Sequence, residues 1–253
     1  MTQLILLGTG AALSDATREH TYLVVKGKHE AVLIDCAGSP VQRLLQSRVA
    51  LDAMDHIILT HHHPDHIYGL PILLLSMWLA GRNKPLYLHG LSGTVRATRA
   101  LLRAFEWQRF DNFFPLEFHT IPRQAHNTPL VTTEFSISTT PTQHVLPSLA
   151  VRVESRDTGR AVTYSSDTEV WEPLVDLARG SHILIHEATT LDNASGGHTS
   201  ARQAGEQAAR AGVQKLVLVH LPPRCHVQKW RAAAQQNFAG QVIVGEDLMR
   251  LTF

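Results

Sequence analysis

The run Thr60-His61-His62-His63-Pro64-Asp65-His66 places four side chains able to bind a metal ion, His61, His63, Asp65 and His66, within six residues in the spacing H-x-H-x-D-H. Alternate side chains of an extended backbone point the same way, so His61 and His63 can address one ion while Asp65 and His66 turn toward a second. Neutral imidazole with carboxylate suits zinc, with Mn or Fe as alternatives, and few protein ligands per ion leave room for a water. The competing reading is a polar loop that happens to be rich in histidine. Asp65 and the following Gly69-Leu70-Pro71 weigh against it.

The apolar run Ile57-Ile58-Leu59 just before reads as a buried strand, so the ligands are expected on the loop past a strand end, where sites are commonly built. Three further candidates also close strands: His144 after the Thr-rich run 136–142, Asp167 after 162–166, and His220 after 216–219. Taken singly, each could be a solvated turn or a cap. Strand-like runs recur at 4–7, 22–25, 31–34, 57–59, 86–88, 149–153, 161–164, 183–185, 216–219 and 242–244. Helical patterns lie at 41–45, 71–79, 94–105, 201–211 and 227–238. Hairpins mixed with βα units imply an α/β fold of sheets covered by helices. The polar stretch 122–129 could divide two halves of one sandwich.

A chain of 253 residues, 44% apolar, can bury a large core as one domain or two, and one domain over 1–253 is expected. Histidine is the compositional outlier, with 16 residues, and the formal net charge of +1 gives no global attraction for nucleic acid. Two cysteines, Cys36 and Cys225, without a C-x-x-C pair indicate neither a disulfide framework nor a cysteine-held zinc, which suits a reducing cytoplasm. The opening apolar run is too short for a signal peptide, and the longest later one, 70–80, falls short of the ~20 residues of a membrane span.

The order H-x-H-x-D-H, then His, Asp and His, resembles the metallo-β-lactamase superfamily, which implies a four-layer αβ/βα sandwich holding two metals at the shared edge of its sheets. Further motifs resemble the ribonuclease Z branch: Leu7-Gly8-Thr9-Gly10-Ala11-Ala12, Ile34-Asp35-Cys36-Ala37-Gly38, His144-Val145-Leu146-Pro147-Ser148, Ser166-Asp167-Thr168, His186-Glu187-Ala188-Thr189 and His198-Thr199-Ser200. The resemblance implies His61, His63 and His144 on a first metal, Asp65, His66 and His220 on a second, and Asp167 bridging. Two ions roughly 3.5–4 Å apart can share a hydroxide of lowered pKa and clamp both oxygens of an in-line displacement at a phosphodiester. Asp65 could also aim that water. Asp35 is expected to hydrogen-bond a ligand histidine rather than a metal.

His198 carries two readings: a loop histidine ahead of a helix capped by Ser200 and Gln203, or, as the resemblance implies, the group that contacts phosphate and protonates the leaving oxygen. Glu187 could orient or repel it, or cap local backbone. Arg96, Arg99 and Arg103 share one helix face, either solvated or a phosphate-tracking ridge. Trp78, Phe105 and Trp107 could stack on bases or belong to the core.

Two features depart from the branch. Pro64 stands where glycine is common in the metal motif. Only 22 residues separate His144 from Asp167, where ribonuclease Z carries a long arm that grips transfer RNA. The expected function is therefore a zinc phosphodiesterase acting on RNA 3′ ends or a small diester, with homodimer assembly as an option. The alternatives are a cyclic-phosphodiester hydrolase and a non-catalytic RNA- or metal-binding module.

Overall fold

The computed structural model describes residues 2–13 and 15–253. The first of two seven-stranded sheets contains β1 (Gln3–Gly8), β2 (Tyr22–Lys26), β3 (Ala31–Ile34), β4 (Met54–Leu59), β5 (Leu86–Gly90), β6 (Leu116–Thr120) and β14 (Arg250–Thr252), in the order β14-β1-β2-β3-β4-β5-β6. The second contains β7 (Asn127–Val131), β8 (Phe135–Pro141), β9 (Leu149–Ser155), β10 (Ala161–Tyr164), β11 (Ile183–Glu187), β12 (Lys215–Val219) and β13 (Gln241–Val244), in the order β13-β12-β11-β10-β9-β8-β7. Pairing is antiparallel from β14 to β3 and from β7 to β10. It is parallel from β3 to β6 and from β10 to β13.

The apolar runs are continuous because each central strand is buried on both faces. Leu4 and Leu6 join Val217 and Val219 between the sheets. Ile5 and Leu7 face outward onto α1 (Pro40–Gln46), α3 (Leu70–Leu79) and α4 (Ser92–Arg103), through Leu44, Leu73 and Leu102 among others. On the other side Leu216 and Leu218 meet α5 (Glu172–Ala178), α6 (Ala201–Ala211) and α7 (Val227–Gln235). The result is four layers, αβ/βα. Close approach of α6 to α7 rests on small residues: a Cβ at Gly205 would collide with the Ala234 carbonyl oxygen.

Each run read from periodicity forms its strand or helix. Several elements lack such a signal. Strand β6 is mostly solvent-facing, β14 is three residues long, and α5 has a proline in its first turn. Strand β7 takes in Asn127-Thr128-Pro129, so the connection between sheets is only 121–126 rather than 122–129; an edge strand tolerates proline because no ladder bond need be donated there. The 22 residues between His144 and Asp167 hold the β9–β10 hairpin, with no protruding arm. Among the described residues no helix is long and apolar enough to cross a membrane.

Candidate metal centre

Beyond β4 the chain stays extended through His63 until Pro64 opens a one-turn helix, α2 (Pro64–Ile67), at its first position. The segment 61–66 is thus not all loop. Proline's fixed φ suits the first helical residue and its missing N–H is not needed there, so Asp65 and His66 turn away from the direction of His61 and His63. Three non-glycine residues at neighbouring strand ends hold left-handed backbone: Asp35 (φ 61°), Ser166 (φ 52°) and His220 (φ 54°). Each costs about 1–3 kcal/mol, a pattern found where a fold aims side chains into a site.

All seven ligand candidates converge. His61 Nε2 lies 3.0 Å from His63 Nδ1, and His144 Nε2 lies 3.1 Å from the same His63 atom. Asp65, His66 and His220 form a second group, with Asp65 Oδ2 at 3.5 Å from His66 Nε2 and 3.7 Å from His220 Nε2. The groups share one atom. Asp167 Oδ2 stands 3.4 Å from His220 Nε2, 3.5 Å from His66 Nε2 and 3.9 Å from Nε2 of both His61 and His144.

The donor set fits a pair of divalent ions. His66 Nε2, His220 Nε2 and Asp167 Oδ1 are buried with no hydrogen-bond partner, a penalty of about 1–3 kcal/mol each that a cation would relieve. Two nitrogens bound to one tetrahedral zinc stand roughly 3.3 Å apart, close to the spacings around His63. Without a cation, protons take up the negative charge. Burial disfavours an imidazolium at His66, but Asp167 and Asp35 outweigh it and hold its pKa well above the ordinary value. Burial likewise opposes, and Asp167 and Asp65 raise, that of His220. For Asp167, burial is overcome by His220 and His66, which keep the carboxyl ionised.

The outward-facing ring nitrogens are tied down in turn. His66 Nδ1 donates to Asp35 Oδ2 at 2.7 Å, and His61 Nδ1 reaches the Thr60 hydroxyl at 3.1 Å, which itself donates to Asp35. Asp35 is fully buried. His144 Nδ1 donates to the Gly197 carbonyl at 2.8 Å. Gly197 has φ 94°, and a Cβ there would lie 2.7 Å from that nitrogen, so only glycine fits. His220 Nδ1 meets the Thr189 hydroxyl at 2.9 Å, which donates to Glu187 Oε2. These bonds fix the tautomers that turn Nε2 inward.

Glu187, fully buried, is the hub of the second sheet's wall. Besides Thr189 it accepts from the Thr168 backbone N–H at 2.8 Å and from His198 Nδ1 at 3.1 Å. It therefore orients His198 and caps local backbone as well. That bond raises the His198 pKa to about 9. The His198 ring stacks on His220, centroids 5.4 Å apart, and can supply a nitrogen near Asp167 and His220. Since Nδ1 is held by Glu187, its other nitrogen faces the centre. The Ser200–Gln203 capping box is present and starts α6 just after it.

A family model described as Anti-Pycsar protein Apyc1 matches residues 2–244. A ribonuclease Z of Mycobacterium bovis is 30% identical, over 99% of this chain and 98% of its own length. The chain belongs to the Apyc1 family, on the ribonuclease Z-like branch of the metallo-β-lactamase superfamily. Two solved structures share its fold: the metallo-β-lactamase-fold protein YhfI of Bacillus subtilis, with TM-score 0.84 at 20% identity, and human short-form tRNase Z, with 0.78 at 25%; both comparisons cover 99% of this chain and 98% of the other. This ribonuclease Z-like chain is a metal-dependent hydrolase of the phosphodiesterase kind.

Other residues singled out in the sequence part company. All three arginines are exposed: Arg99 lies over the Phe118 ring at 4.3 Å, and Arg96 lines a cavity together with His62. Trp78 and Trp107 pack on the outer core, whereas Phe105 is exposed. His186, although beside Glu187, bonds to the Glu187 carbonyl and Gln207 and serves the fold. Thr60, Thr189 and Gly197 escape sequence reasoning as site residues. Their one signal is adjacency to a motif, since a threonine relay depends on which ring the fold sets beside it.

Proposed function

We propose that this ribonuclease Z-like chain is a dinuclear zinc phosphodiesterase that cuts RNA near 3′ ends, with His61, His63 and His144 holding one ion, Asp65, His66 and His220 the other, and Asp167 shared. The observation that carries this reading is the Asp167 oxygen lying within 3.9 Å of four imidazole nitrogens from both groups. Bound divalent ions would supply a water of lowered pKa and positive charge for the phosphoryl oxygens. Asp65, in the second group, accepts a hydrogen bond and then a proton from the attacking water and so aims it at phosphorus. His198, kept protonated by Glu187, donates its inward N–H to the leaving ribose oxygen as the P–O bond breaks. Asp35 and Glu187 stay out of contact with substrate and hold the rings. A homodimer goes with this reading and is measurable by light scattering.

A second reading, hydrolysis of a small or cyclic phosphodiester, is favoured by the short β9–β10 hairpin and by the Apyc1 match. The test is metal-reconstituted protein offered bis-p-nitrophenyl phosphate, a 2′,3′-cyclic nucleotide and a 3′-extended transfer RNA, with elemental analysis alongside. About two metal equivalents and cleavage of the simple diester and the RNA are expected. His198→Ala should keep the metals and lose roughly 10²–10⁴-fold in rate. Cleavage of the cyclic nucleotide without the RNA selects the second reading, and a reproducible single equivalent that added zinc cannot raise rejects the dinuclear one.

A further inference from the structure

His62, between two ligand candidates, points away from them. It lines a cavity of about 350 Å³ together with Arg96, Arg123 and the first turn of α4, Ser92, Gly93 and Thr94; the wall also includes Pro147, from the loop that carries His144. A Cβ built on Gly93 would stand 3.8 Å from both His62 Cε1 and an Arg96 Nη atom, so imidazole and guanidinium converge over that glycine. Two polar atoms of the lining, His62 Nδ1 and Thr94 Oγ1, are buried without a partner, and Thr94 is wholly inaccessible. Helix α4 has leucine as its N-cap and no side-chain cap, which leaves its first N–H groups free. Among the described residues the ion-paired arginines are others, such as Arg43, Arg82 and Arg202, and neither Arg96 nor Arg123 has a carboxylate partner.

Unpaired guanidinium groups, free helix N-terminal amides and a glycine that lets a ligand approach the backbone make up the chemistry that binds phosphate. No carboxylate lines the cavity. We propose that it is a second phosphate subsite, which holds a phosphate of the substrate next to the scissile diester through Arg96, Arg123 and the α4 amides. This rests on the phosphodiesterase reading and narrows it: the preferred substrate carries at least two phosphates, as an RNA end does and a simple mononucleotide does not. It also gives Arg96 a task distinct from those of Arg99 and Arg103.

Two measurements test it. In chelator-treated protein, adenosine 3′,5′-bisphosphate is titrated by calorimetry against wild type and the Arg96→Ala/Arg123→Ala variant. Binding should weaken at least tenfold in the variant, with a shallower salt dependence by roughly 0.7 per lost phosphate contact. In metal-loaded protein, KM for a dinucleotide bearing a terminal phosphate should rise at least tenfold more in the variant than KM for bis-p-nitrophenyl phosphate. Equal bisphosphate binding by both proteins, or equal rises for both substrates, overturns the subsite. Failure of the phosphodiesterase reading looks different: wild type hydrolyses neither substrate, while bisphosphate binding to the chelated protein stands or falls by itself.

Discussion

The two walls of the centre are built on the same device and put it to different use. In the first sheet's wall a buried carboxylate at the end of β3, Asp35, accepts from His66 directly and from His61 through Thr60. In the second sheet's wall a buried carboxylate at the end of β11, Glu187, accepts from His198 directly and from His220 through Thr189. Both partners of Asp35 are proposed metal ligands. Glu187 instead divides its charge between one such ligand and a partly exposed histidine that is free to titrate. On the proposed ligand assignment, one wall would serve only to hold cations, while the other would couple that task to keeping a proton in place.

The largest effect should come from removing what joins the walls. Asp167→Ala is expected to reduce metal content from about two equivalents to below one and the rate on bis-p-nitrophenyl phosphate by on the order of 10⁴-fold, measured by elemental analysis and steady-state kinetics. Retention of both ions would show that the walls hold metal independently. Asp35→Asn should weaken metal binding about 10–100-fold, read by chelator competition, with no change in the shape of the pH–rate profile.

Glu187→Gln should act mainly on that profile. The folded-state pKa of His198 is raised to about 9, so the acid form required for proton donation is present at neutral pH and lost as pH rises through that value. Without the anionic partner the imidazole relaxes toward its ordinary value near 6.5, and the alkaline limb moves to lower pH. Bound cations lower both limbs, so the difference between the proteins is the quantity to measure. Coincident limbs would remove Glu187 from control of the proton. The smallest effect is expected from Thr189→Val, which breaks only the relay to His220: about 1 kcal/mol, or roughly fivefold in metal affinity, by the same competition assay.

The walls also differ in how far they can be read from sequence. The first is nearly contiguous: four candidates lie in six residues after an apolar run, and Asp35 closes the strand beside it. The second is assembled from single residues, His144, Asp167, Glu187, His198 and His220, that stand alone on separate strand ends and loops and gain meaning only by their order. Short or solvent-facing strands such as β6 and β14 left no periodicity to follow, because a strand that buries little has little reason to be patterned, and α5, though well buried, is too short at seven residues to show a helical period.

What the sequence determined by itself was the class of chemistry and the layers. The side-chain types in H-x-H-x-D-H suit divalent metal ions, and runs apolar at every position dictate strands buried on both faces. Tertiary structure alone decided which ring nitrogen faces inward, that Asp167 stands between both groups, and that Arg96 lines one cavity with His62. The reason is physical: tautomer, bridging and pairing depend on distances of about 3 Å between residues far apart in the chain, and only the packing of the two sheets face to face creates those distances.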